Sequence, residues 1–133
     1  MNQCFKFSKY EEGYSFEAHI DGPWVPMKDE SSVFTVVIYL NDDYEGGQTN
    51  FYNEPFESKF EGKRGIKNDE DLVATIQPKT GKMLVFNHES YHEGSKVLKG
   101  TKYIVRTEIM FVRIDSSIFK DKNLSNVYSK RIS

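Results

Sequence analysis

The 133-residue chain has one cysteine, one tryptophan, three histidines and four prolines. A single thiol, Cys4, excludes an intrachain disulfide and makes a four-ligand structural zinc site built on cysteines a poor fit. The longest apolar run, Val33 to Leu40, is far shorter than a bilayer span. No basic segment followed by an apolar stretch opens the chain, so no signal peptide is expected, and the thiol usage fits a reducing, cytoplasmic setting. Charge of one sign is also lacking. The net charge is −2 with both signs interspersed, which gives no global reason to expect a nucleic-acid or membrane partner. Sustained helical periodicity, internal repeats and low-complexity blocks are absent too.

Aromatic residues are abundant, with ten Phe and eight Tyr. These residue types favour strands. Tyr14, Phe16, Ala18 and Ile20 alternate with Ser15, Glu17, His19 and Asp21, a period of two that places His19 and Asp21 on one face and the apolar set in a packed layer on the other. Further strands are expected at Cys4–Tyr10, Val33–Leu40, Gln48–Tyr52, Leu72–Gln77, Lys82–Asn87, a short piece within Gly94–Gly100, and Lys102–Arg113. Asn41 to Gly47 is dense in turn formers. Residues 53–71 read as a long polar loop, either a lid or an insertion. Seven or eight short strands predict an all-β sandwich or barrel, a jelly roll above all, with few or no helices. Residues 1–113 form the expected domain. Residues 114–133 form a polar tail, with a short helix near Ile118.

Chemistry points to the histidines. His19, Asp21 and His92 offer two imidazoles and a carboxylate, the set that holds non-haem Fe(II) on three positions and leaves three open. Their bland reading is an exposed polar strand face. Lys102 opens a long apolar strand and shares a face with Arg106. A cation facing a barrel interior needs an anion; alternatively Lys102 marks a strand end and reaches water. Trp24, in the loop Gly22-Pro23-Trp24-Val25-Pro26, is either a substrate platform or, the reading favoured here, a plug for the barrel end. His88 is expected behind the site or at the surface. Asn87 and Tyr91 are weaker candidates for its flanks.

The order of four segments resembles the prolyl 4-hydroxylase-like 2-oxoglutarate/Fe(II) dioxygenases. They are Tyr10-x-x-Gly13-x-x-Phe16-x-x-His19-x-Asp21; Tyr39-Leu40-Asn41 with Gly46-Gly47-Gln48-Thr49-x-Phe51; Pro78-x-x-Gly81 with Leu84-Val85-Phe86; and His92-Glu93-Gly94-x-x-Val97-x-x-Gly100-x-Lys102-Tyr103. The resemblance implies a double-stranded β-helix, a cupin-like jelly roll. It implies Fe(II) on His19, Asp21 and His92, the distal carboxylate of 2-oxoglutarate on Lys102, and Tyr10 and Thr49 lining the co-substrate pocket. It implies O2-dependent hydroxylation of a substrate with release of succinate and CO2, with ascorbate as an accessory. The expected substrate is a protein or peptide side chain such as proline; a nucleobase, a small metabolite, or a binding module without turnover are the alternatives. Gln48 stands where many members carry Glu, and Glu108 where collagen-type enzymes carry Trp. Arg106 competes with Lys102 as the carboxylate anchor or pairs with Glu108. The helices that precede this core in the family are missing, which suggests a minimal member or a fragment.

Overall fold

The computed structural model describes residues 1–114. Ten antiparallel strands make two four-stranded sheets and one two-stranded ribbon. The first sheet has the order β1 (Lys6–Glu11), β10 (Thr101–Val112), β3 (Glu30–Tyr39), β7 (Met83–Asn87). The second has the order β2 (Phe16–His19), β8 (His92–Gly94), β5 (Thr49–Tyr52), β6 (Leu72–Ile76). The ribbon pairs β4 (Glu45–Gly46) with β9 (Val97–Lys99). The expected all-β jelly roll is present, with more strands than the sequence suggested.

The continuous apolar run becomes β3 because that strand is central, hydrogen-bonded to β10 on one side and β7 on the other. Burial on both faces removes the alternation seen in half-exposed strands. Val36 and Tyr39 are almost completely buried. The first sheet turns Tyr39, Val37, Phe86 and Ile104 inward as one core cluster, with Tyr10, Phe51, Ile76 and Leu84 packed against it. Phe51 of β5 meets Phe86 of β7 edge to face at 5.2 Å, so the two sheets close on each other through aromatic rings. Ala18, Tyr52 and Tyr91 form a second, smaller cluster behind β2.

The turn-rich segment before β5 needs its glycines for a physical reason. Gly46 has φ +77°, and a Cβ there would lie 2.3 Å from the Lys96 carbonyl oxygen. Gly47 has φ +66°, and a Cβ there would press on the Tyr44 ring and the Lys102 stem. Close approach at this point brings the Gly47 carbonyl to Lys102.

Two expectations change. The strict alternation predicted for residues 14–21 breaks at a register shift between Phe16 and His19. Ala18 does enter the packed layer, but Ile20 is exposed and Phe16 turns to the same cavity as His19 and Asp21. Residues 53–71 are not a structureless loop. They contain helix α1 (Phe56–Glu61) and a 3-10 turn at Asp69–Asp71, and they are tied to the barrel. Gly65 N–H donates to the Ala18 carbonyl at 2.9 Å and Tyr91 Oη–H to the Ile66 carbonyl at 2.8 Å. The expected helix near Ile118, and all but the first residue of the expected tail, lie outside the described residues. Among the described residues no helix is long and apolar enough to cross a membrane.

Candidate metal and co-substrate site

Between the sheets lies a cavity of about 160 Å3. Its wall from the first sheet carries Lys6, Ser8 and Tyr10 of β1 and Lys102, Ile104 and Arg106 of β10. Period two explains both triplets, since alternate residues of neighbouring strands share a face. His19 and Asp21 reach it from the end of β2, and His92 from the start of β8, opposite His19 in the ladder.

These three residues, far apart in sequence, bring one ligand atom each within 4.8 Å of one another. All three are buried. His19 Nδ1 faces the Glu17 carbonyl at 2.7 Å and His92 Nδ1 the Ser90 carbonyl at 2.8 Å. A carbonyl only accepts, so each Nδ1 carries the proton and each Nε2 keeps a lone pair. His19 Nε2 lies 3.3 Å from Asp21 Oδ1, and His92 Nε2 lies 3.9 Å from Asp21 Oδ2. Lone pairs on two imidazoles thus converge on a carboxylate. His19 Nε2 has no hydrogen-bond partner although it is buried. Three buried acceptors facing one point require a cation, so the donor set fits a metal ion of the kind held by two histidines and a carboxylate. Aromatic edges hold the imidazoles in place. Phe16 packs on His19 at 4.4 Å and Phe86 on His92 at 4.5 Å.

Asp21 is supported on both oxygens. Thr35 Oγ1–H donates to Oδ2 at 2.5 Å and Arg106 Nη2 to Oδ1 at 2.9 Å. Burial would raise this carboxyl, but the neighbouring His19, the Thr35 hydroxyl, the Arg106 charge and the nearby His92 outweigh it and hold the group well below the usual carboxylate range. Burial likewise lowers the His92 imidazole and favours its neutral, metal-binding form.

Behind Thr35 the hydrogen bonds continue. His88 Nδ1 lies 2.9 Å from Thr35 Oγ1, and His88 Nε2 lies 2.8 Å from Ser32 Oγ. Ser32 Oγ in turn accepts the Trp24 N–H at 2.7 Å. Since the Thr35 proton goes to Asp21, His88 Nδ1–H must donate to Thr35, and Ser32 Oγ–H to His88 Nε2. His88 is therefore a buried support behind the carboxylate. Trp24 is 55% exposed, so the plug reading fails; only its backbone is locked.

Lys102 is 5% exposed. Its Nζ donates to the Gly47 carbonyl at 2.6 Å and sits 5.5 Å from the ring centroids of both Tyr10 and Tyr39. Among the described residues no carboxylate pairs with it, and burial alone lowers it to about 8. The reading that Lys102 snorkels to water is excluded by this burial. Thr49, from β5 of the facing sheet, is buried and lines the same cavity, its Oγ1 hydrogen-bonded to Tyr39 Oη at 2.6 Å. Arg106 pairs with Asp21 and not with Glu108, which instead accepts from Asn2 Nδ2 at 3.2 Å.

Three parts of the site escaped the sequence. Thr35 was the polar interruption in VFTVVIYL, two residues from Val37 and four from Tyr39, and that offset was the available signal. Glu93 was hidden in the motif as an unassigned position. It is buried and accepts from Lys67 Nζ at 2.7 and 2.6 Å, from Tyr52 Oη at 2.8 Å and from Asn50 Nδ2 at 2.9 Å. No local pattern could have announced Lys67, because it arrives from the 53–71 segment. Asn87 and Tyr91, the weaker candidates, serve a turn and the second core cluster.

Comparison with known proteins gives the fold and the family. No curated protein sequence matches the chain. Among solved structures, it is similar to an oxidoreductase of the 2OG-Fe(II) oxygenase family from Burkholderia pseudomallei (15% identity, TM-score 0.54, covering 78% of this chain and 40% of that one). It is similar to the viral collagen prolyl hydroxylase of Paramecium Bursaria Chlorella virus-1 in its 2OG complex (22%, 0.50, covering 84% and 63%). A Pseudomonas putida prolyl-4-hydroxylase is a further likeness (19%, 0.51, covering 84% and 52%). These likenesses establish a shared fold, and the chain spans only 40% to 63% of the length of those structures. The family model of the 2OG-Fe(II) oxygenase superfamily matches residues 5–109, most of the chain, and the chain belongs to that superfamily.

Proposed function

We propose that the chain is a 2-oxoglutarate- and Fe(II)-dependent dioxygenase that hydroxylates its substrate with release of succinate and CO2, acting on a protein or peptide side chain such as proline. The observation that carries this is one cavity holding both a three-acceptor cluster in want of a cation and a buried lysine in want of an anion. His19, Asp21 and His92 would hold Fe(II), and Lys102 would take the distal carboxylate of 2-oxoglutarate, flanked by Tyr10 and Thr49. When bound, the iron and the keto acid supply the oxidising chemistry with O2.

The chain's own residues do the rest. The Nδ1–H bonds to backbone carbonyls fix both imidazoles in the tautomer that leaves Nε2 free. Thr35 holds Asp21 Oδ2 and keeps the carboxylate ionised and oriented. Phe16, Val37, Phe86 and Ile104 line the cavity with apolar surface, which limits water near a reactive oxidant. Lys102 and Arg106 lie four residues apart on β10, about 13 Å along the strand at about 3.3 Å per residue. The anion anchor and the arginine that pairs with Asp21 thus project from one wall, facing the metal cluster of the other sheet.

Mixing the protein with Fe(II) and 2-oxoglutarate without oxygen tests the reading. A weak visible charge-transfer band is expected, and its absence sinks the proposal. Admission of oxygen should then give succinate. A band with no succinate under any substrate favours a jelly-roll binding module without turnover.

A further inference from the structure

The cavity wall holds more positive charge than metal and co-substrate can use. Accepting the dioxygenase reading, on which this inference rests, Fe(II) is balanced by Asp21 and the keto-acid end of 2-oxoglutarate, and Lys102 by the distal carboxylate. Glu93 is matched by Lys67. Lys6 remains, and Arg106 has only Asp21, which it would share with the metal. Lys6 and Arg106 are directly opposed partners in the antiparallel β1–β10 ladder, and both side chains line the cavity. Like charges at opposed positions repel, which is an unfavourable arrangement unless an anion lies between them. Lys6 has no acidic partner among the described residues. Arg106 gives one Nη to Asp21, yet its Nε is buried with no acceptor.

We infer that Lys6 and Arg106 form the recognition site for a carboxylate on the substrate, close to the carbon that is oxidised. The Arg106 guanidinium has a donor left over beside the metal cluster, and a planar carboxylate can accept from it while its second oxygen faces the lysine. One negative charge is what this end lacks. Lys6 is exposed and its own charge is solvated, whereas Arg106 is only part-exposed beside the metal cluster. A monoanion therefore suits the place better than a phosphate dianion. The carboxylate has two sources: an acidic side chain flanking the target residue of a peptide, or a small acid that carries its own carboxylate. Ser8, between Lys6 and Tyr10 on the same wall, adds a hydroxyl to either.

The test is calorimetric titration of the protein with Fe(II) and 2-oxoglutarate, without oxygen, so that no turnover occurs. The peptides are Gly-Asp-Pro-Asp-Gly and its Ser, Lys and phosphoserine counterparts; L-proline and L-prolinamide are the small pair. Wild type, Lys6→Glu and Lys6→Gln are compared. Tighter binding of the Asp peptide by about tenfold over the Ser peptide, the size of one charge-assisted hydrogen bond, supports an acidic peptide. Tighter binding of L-proline than L-prolinamide by a similar factor, with no peptide preference, supports a small acid. In either case Lys6→Gln should weaken the preference and Lys6→Glu should reverse it towards the Lys peptide or the amide, which a merely structural Lys6 would not do. Equal affinities, no measurable binding, strongest binding of the phosphoserine peptide, or a preference that ignores Lys6 overturns the inference. The visible band of the same samples separates the two failures. If it is absent, the dioxygenase reading falls first; if it is present, the carboxylate site alone is wrong.

Discussion

Replacing Lys102 by methionine should make the ligand-free protein more stable while removing its response to 2-oxoglutarate. The ammonium is buried beside two tyrosine rings and a single carbonyl, and burial lowers it from 10.5 to about 8. At about 1.36 kcal/mol per pH unit, its charge costs the folded state roughly 3 kcal/mol. The hydrogen bond to Gly47 returns about 1 kcal/mol and the cation–π contacts about 0.5–1 kcal/mol. A flexible apolar side chain of similar length avoids that cost, so Lys102→Met should gain roughly 1–2 kcal/mol without ligand. The pH dependence has a definite sign. Between about pH 8 and 10.5 the unfolded chain keeps a proton that the folded chain has released, so raising the pH favours folding. The penalty is full below pH 8 and gone above 10.5, and the gap between wild type and variant should close across that window. Urea unfolding of metal-free protein at pH 7, 9 and 10.5 measures it. Adding 2-oxoglutarate and metal should stabilise wild type and leave the variant behind, with at least a tenfold loss of co-substrate affinity. A variant less stable than wild type at pH 7, with a gap that does not change with pH, would refute the picture of an uncompensated buried charge.

Thr35→Val keeps the shape of the side chain but withdraws the hydrogen bond to Asp21 Oδ2; metal affinity by competition titration should fall about 10–100-fold, with the fold intact by circular dichroism. Lys67→Met leaves Glu93 buried on Tyr52 and Asn50 alone, and should cost about 1–2 kcal/mol in urea unfolding. On acidification the metal-free protein should lose stability in two stages. Below pH 6.5 the unfolded chain takes up a proton that folded His92 refuses, and below the ordinary carboxylate range Asp21 protonates in the unfolded chain first. Comparison with His92→Ala and Asp21→Ala assigns each stage, and both variants should fail to retain iron.

The sequence revealed those parts of the fold that depend on local rules. Period two placed Lys102 and Arg106 on one face, and turn chemistry marked residues 41–47 before β5. Strand β3 was readable because a central strand loses alternation. Period two failed where the ladder slips, between Phe16 and His19, since a register shift depends on the neighbouring strand and leaves no trace in spacing. The three metal-facing residues were legible as residue types, and the family motifs ordered them. Their supports were not. The Thr35–His88–Ser32 chain and the Lys67–Glu93 pair join segments 53 and 26 residues apart, or more, and such pairings exist only once the sheets have closed.

The locked backbone of Trp24 has a practical use. It is the only tryptophan in the chain, and its indole is exposed while its N–H and carbonyl are pinned to Ser32. All indole emission therefore comes from one fixed loop, two hydrogen-bond partners removed from His88 and three residues after Asp21. Quenching or a colour shift of that emission on adding metal or substrate would show, without any label, that this loop senses the site behind Ser32 and His88.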